Sequence, residues 1–154
     1  MKKHKKYSLK NILSQVKEPE GSLNPSLLSM LNEISFIDIA QVRVPGKSLI
    51  EIQRQTSLSA ENIAGIVGVS KSKYYELLQL DDIGSKNIDA LADFATLWNK
   101  GMIAFEDDVN LLNEWLESRN ESLGNVRPIE LLTSRLGRRE LEKAFLRVEY
   151  SVYG

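Results

Sequence analysis

From Ser48 almost to the end of the chain, apolar residues recur three and four positions apart, and serine, glycine and proline interrupt them at short intervals. That period belongs to helices, and no run alternates in the way a half-buried strand requires. The chain is therefore expected to be all-α. Asn24-Pro25 reads as a helix start, with Leu27, Leu28, Leu31 and Ile34 at helical spacing and an ambiguous stretch at Phe36, Ile37 and Ile39. Pro45-Gly46 is a break. A short helix is predicted over Ser48–Gln55, a second from an N-cap at Ser59 to Val67, and a third from an N-cap at Ser70 to Leu80. After a turn at 81–84, Ser85 is read as the cap of a long amphipathic helix bearing Ile88, Leu91, Ala92, Ala95 and Trp98, closed by Gly101. Glu106–Glu117 is the next expected helix, with Val109, Leu112, Trp115 and Leu116 on its apolar side. A loop covers Ser118–Arg127, Pro128 opens a short helix over Ile129–Leu132, and Gly137 separates it from a last helix carrying Leu141, Ala144, Phe145 and Val148. Residues 1–23 read as a flexible basic arm with a short helical piece around Leu9–Val16.

Residue types exclude several chemistries. With no cysteine, the chain has no disulfide, zinc-thiolate or thiol nucleophile. The single histidine, His4, leaves no paired-histidine metal site and makes a histidine-based triad implausible. No metal or cofactor is expected. No apolar stretch approaches the roughly 20 residues of a membrane span, and no apolar region follows the N-terminal lysines as in a secretory signal. The expected compartment is the cytoplasm, with no membrane partner.

Charge is unevenly spread although the formal net charge is only −1. The first ten residues hold five lysines and no acid, residues 81–117 hold nine acids against Lys86 and Lys100, and residues 119–154 hold seven Lys and Arg against five Glu. Such runs are either solvated faces or surfaces for different partners.

The most informative stretch is Ala60–Gln79. A helix-turn-helix needs a small residue where its helices cross, a glycine at the turn, and apolar residues that lock the pair. Ala64, Gly68 and the set Ile63, Val67, Val69, Tyr74 with Leu77 or Leu78 meet these needs at the expected spacing. The second helix then offers Ser70, Lys71, Ser72, Lys73 and Tyr75 near its N-terminal half, the end that enters a major groove. Hydroxyls and lysines there suit phosphates and base acceptors, and the helix N-terminus adds partial positive charge. Arg43, Lys47 and Arg54 are candidates to extend the basic surface, whereas Glu76 weakens it. The plain alternative is that Lys71 and Lys73 solvate a packed helix. With so few cations, one copy should bind DNA weakly and with strong salt dependence; a homodimer reading half-sites ~34 Å apart would compensate.

The terminus carries a second signal. Val148, Tyr150, Val152 and Tyr153 place branched and aromatic groups where chains are usually polar and frayed. Such an end either folds back on its own core or docks into a partner, and the residues alone leave both open.

From about Val44 to Gly154 the chain resembles the Xre/MbcA/ParS antitoxins of bacterial type II toxin–antitoxin systems. The resemblance rests on Trp115-Leu116, the Asn120 and Leu123-Gly124 loop, Pro128-Ile129-Glu130-Leu131-Leu132, Gly137, and the ending Arg147-Val148-Glu149-Tyr150-Ser151-Val152-Tyr153. It departs at Asn125, at Ser151, and at Glu76-Leu77 after the paired tyrosines. We divide the chain into a helix-turn-helix region over 24–84 and a small helical region over 85–154; the resemblance, which does not cover residues 1–43, implies DNA binding and dimerisation for the first and toxin binding for the second. It implies as partner a RES-domain protein toxin, an NAD⁺-consuming enzyme whose active-site cleft the C-terminal segment covers. The toxin contacts it implies are Arg147, Glu149, Tyr150, Val152, Tyr153 and Gly154. It further implies repression of the operon through operator DNA. A stand-alone transcription regulator, whose C-terminal half senses a ligand or protein, is the competing reading. An enzyme is the least supported class, because no base, nucleophile or phosphate loop accompanies the acidic run.

Overall fold

The computed structural model describes residues 26–35 and 38–153, without the side chains of Val152 and Tyr153. The arm at 1–23, the helical piece at Leu9–Val16, the Asn24-Pro25 start, Phe36, Ile37 and Gly154 lie outside the described residues. Those described are all-helical, as the sequence predicts: α1 (Leu27–Glu33), α2 (Ser48–Thr56), α3 (Ala60–Val67), α4 (Lys71–Leu77), α5 (Ser85–Ala104), α6 (Val109–Glu117) and α7 (Arg135–Tyr153). Short 3-10 turns occupy Asp38–Ala40, Glu121–Leu123 and Pro128–Thr133.

Local chemistry sets most of these boundaries. The hydroxyls of Ser26, Ser59 and Ser70 accept the backbone N–H of the residue three positions on, capping α1, α3 and α4. α3 ends at Gly68, whose φ of 75° is the left-handed conformation glycine adopts without a Cβ penalty. α4 stops at Leu77, short of the predicted Leu80. Here tertiary pairing overrides helix propagation: Leu80 O accepts from Gly46 N at 2.9 Å, and Ile83 N donates to Val44 O at 2.9 Å. Asp82 Oδ1 accepts from Val44 N and Gly84 N and holds the turn between α4 and α5.

Four further boundaries differ from expectation. Gly84, with no side-chain cap, stands where Ser85 was expected, and Ser85 is the first helical residue. Gly101 lies inside α5, which continues to Ala104. It is a contact glycine: a Cβ there would sit 3.0 Å from Phe145 Cζ and 3.2 Å from Leu112 Cδ2. Residues 105–107 form a turn instead of the start of a helix, because Glu106 and Asp107 adopt φ of 54° and 61°. α6 starts at Val109, where Asp108 accepts from Asn110 N and Leu111 N. Gly137 lies in the first turn of α7 and does not separate two helices; its N–H donates to Ser134 Oγ at 2.9 Å, and a Cβ would collide with the Leu131 carbonyl.

One hydrophobic cluster runs from Leu27 to Phe145, so residues on both sides of 84/85 share a core. α5 is its axis, packed by α1 on one side and α7 on another. α5 and α7 run side by side in the same direction. Arg138 donates to Asp93 at 2.7 Å, Lys100 pairs with Glu142 further along, and Gly101 meets Phe145 beyond that. Phe105, Trp115 and Phe145, with ring centroids 5.4–6.3 Å apart, fasten the ends of α5 and α6 to α7. Each such aromatic pair contributes about 0.5–1.5 kcal/mol beyond area burial, which fixes the direction in which α7 leaves the core. No helix among the described residues is long and apolar enough to cross a membrane.

Candidate functional site

Two surfaces collect the residues singled out by sequence. The first is the corner formed by α3, the Gly68 turn and α4. Ile63, Ala64, Val67, Tyr74 and Leu77 are buried, and Val69 and Leu78 pack partly against the same cluster. The chain leaves α3 through paired hydrogen bonds: Gly68 N donates to Gly65 O, and Val69 N to Ala64 O at 3.0 Å. The Tyr74 hydroxyl donates to Gln53 Oε1 on α2, tying α4 to an earlier helix. Burial pushes the Tyr74 phenol pKa above its ordinary value, and the adjacent Tyr75 adds to the rise.

With those positions inside, Ser70, Lys71, Ser72, Lys73 and Tyr75 are all exposed on α4 or at its cap. Tyr75 is 51% exposed, with its ring edge-on to Tyr74. The hydroxyl of Ser70 is engaged in capping. Lys73 Nζ lies 3.1 Å from Glu76 Oε2, so half of the lysine pair is already matched by a carboxylate. Lys71 makes no ion pair among the described residues. Of the cations expected to extend this surface, Arg54 pairs with Glu51 on its own helix, while Arg43 and Lys47 are exposed.

The second surface is the outer end of α7. The helix continues through Tyr153, and its last turns divide in two. Val148 packs partly against the core, as a fold-back requires. Tyr150 points outward at 72% exposure, and Leu146, one turn earlier, is 42% exposed. Arg147 is exposed and Glu149 half-buried. Backbone geometry carries Val152 and Tyr153 in the same helix.

The parallel register of α5 and α7 adds a residue that sequence reasoning missed. Beyond the Lys100–Glu142 pair, the next turn of each helix brings Ile103 and Leu146, both exposed. One turn beyond that ion pair, each helix therefore carries an exposed aliphatic side chain. Leu146 was legible as the residue four before Tyr150. Ile103 was not, because its role depends on how two distant helices align.

No family model matches the chain, and no curated protein matches it at a significant level.

Proposed function

We propose that this chain is an antitoxin that neutralises a RES-domain, NAD⁺-consuming toxin by covering its active-site cleft with the end of α7, and that it represses its own operon through the α3–α4 corner. The observation that carries the reading is the exposure of Leu146 and Tyr150 on a helix that is anchored by three packed aromatics and extends past the core. An exposed aromatic at the end of a rigid element loses little conformational entropy when a partner buries it, which is the property of interface anchors. Arg147 and Glu149 flank it with charges suited to the polar mouth of a cleft. Val152, Tyr153 and Gly154 extend the same segment.

The corner supports the DNA-binding half of the proposal through the order of its parts. A packed first helix and a glycine turn are followed by a capped second helix whose outward residues are Lys71, Ser72, Lys73 and Tyr75. With Lys73 shared with Glu76, affinity rests on a homodimer presenting two such helices to a two-fold operator. We place the protein in the cytoplasm, where both partners are found.

Co-expression with the toxin in growing cells tests the first half. Deleting Glu149–Gly154, which removes the last turn of α7, should abolish protection while leaving the rest of the helical fold intact, and protection by the truncated chain would refute the assignment. A gel shift at moderate salt tests the second. Lys71→Ala combined with Lys73→Ala should weaken binding to a fragment of the chain's own promoter without changing toxin binding, and an unchanged shift would refute the placement of α4.

A further inference from the structure

For a surface that binds DNA, the α3–α4 corner is short of cations: Lys73 is shared with Glu76, and Arg54 with Glu51. The fold sets further cations beside it. The 3-10 turn Pro128–Thr133 packs on α3 and on α7. Its approach to α3 is close enough to need a glycine, since a Cβ at Gly65 would lie 2.6 Å from Thr133 Cγ2. α7 begins two residues after Thr133, so its first turns stand next to the first helix of the corner. In a helix-turn-helix, that first helix crosses the phosphate backbone.

Those first turns are rich in arginine. A polar cleft of about 160 Å³ between α5 and α7 is lined among others by Asp93, Arg135, Arg138, Arg139 and Glu142. Both acids are already matched: Asp93 accepts from Arg138 Nε at 2.7 Å, and Glu142 pairs with Lys100. The Arg138 side chain is only 11% exposed and also donates to Leu132 O at 2.8 Å, so it serves the fold. Arg135 and Arg139 are exposed and make no ion pair among the described residues. Their placement is unfavourable to the isolated chain twice over. They stand one turn apart, so their like charges repel. Arg135 opens α7, whose first turn has no acidic residue, and a cation there opposes the helix dipole. Stability gives no reason for two uncompensated arginines here, whereas a neighbouring phosphate backbone does.

We propose that Arg135 and Arg139 are phosphate contacts of the DNA-binding surface, gripping the sugar–phosphate backbone at the flank of the groove that α4 enters. The inference rests on the DNA-binding reading of the corner. Arginine forks match phosphate oxygens. Contacts of this kind raise affinity for any sequence without reading one.

Fluorescence anisotropy of the full chain, on a duplex from its own promoter and on an unrelated duplex of equal length, is measured across a salt series. Arg135→Ala with Arg139→Ala should weaken binding to both duplexes by the same factor, about tenfold at low salt. The slope of log K against log salt should become shallower by about 2, one for each phosphate given up. Arg135→Lys with Arg139→Lys should keep the slope, because the contact needs the charge. The alanine variant should melt no lower than the intact chain, since it removes cations from the start of a helix. An unchanged slope in the alanine variant, with binding lost in Lys71→Ala, Lys73→Ala, would overturn the assignment and leave the reading of the corner standing. Unequal losses on the two duplexes would also overturn it, because base contacts behave that way. Failure of the intact chain to bind either duplex at low salt would remove the reading of the corner, and this inference with it.

Discussion

The α3–α4 corner and the outer end of α7 solve opposite surface problems. In the corner every large apolar side chain of the locking set is inside or half-inside, and hydroxyls, lysines and a tyrosine edge face water. At the end of α7 the aromatic Tyr150 and the aliphatic Leu146 face water while Val148 holds the core. The corner is complete without a partner in the apolar sense, and among its exposed groups Lys71 makes no ion pair among the described residues. The end of α7 lacks apolar cover. The contrast ties the two proposed activities to different physics. Corner binding should fall steeply with salt, whereas α7 binding should depend on buried area and hold up as salt rises.

Substitutions sharpen this contrast in order of expected effect on stability. The largest is Gly46→Ala. A Cβ at Gly46 would collide with the Leu77 carbonyl and lie 2.8 Å from the Leu78 carbonyl carbon, at the backbone that ends α4. Because backbone cannot yield as a side chain does, the loss should be about 3 kcal/mol or more in chemical denaturation, by overpacking. Gly68→Ala is next. Nothing lies within 4 Å of the added methyl, so the cost is purely the left-handed conformation, about 1–2 kcal/mol. Ser70→Ala removes the bond to Lys73 N and should cost about 1 kcal/mol, with a matching fall in the denaturation midpoint. Smallest is Leu146→Ser with Tyr150→Ser. Both residues are substantially exposed, so stability should change by less than about 0.5 kcal/mol, although this variant should lose the most toxin affinity. A thermal shift as large as that of Gly68→Ala would mean that the two side chains serve the fold, and the contrast would fail.

The same contrast explains what was legible in the sequence. Ser59, Gly68 and Ser70 act within a few residues of themselves, so spacing alone located the corner and its exposed set. Gly101 and Gly137 carry the same letter but answer to Phe145 and Leu131, more distant partners brought close by packing, and reading them as helix ends was wrong for that reason. The turn at 105–107 was missed because acidic residues such as Glu106 and Asp107 suit the first turn of a helix as well as they suit a turn. Leu80 was assigned to a helix because its pairing partner, Gly46, lies far back in the chain. At the terminus, the helical spacing of Val148 against Tyr150 separates inside from outside, but only the packing on α5 and α6 decides which is which.

The central claim is that the end of α7 stops the toxin's chemistry by occupying its cleft. The most direct measurement is the rate of NAD⁺ consumption by the purified RES-domain toxin, titrated with the intact chain and with the Leu146→Ser, Tyr150→Ser variant at physiological salt. The account predicts stoichiometric inhibition by the intact chain and little inhibition by the equally folded variant. Equal inhibition by both would contradict it.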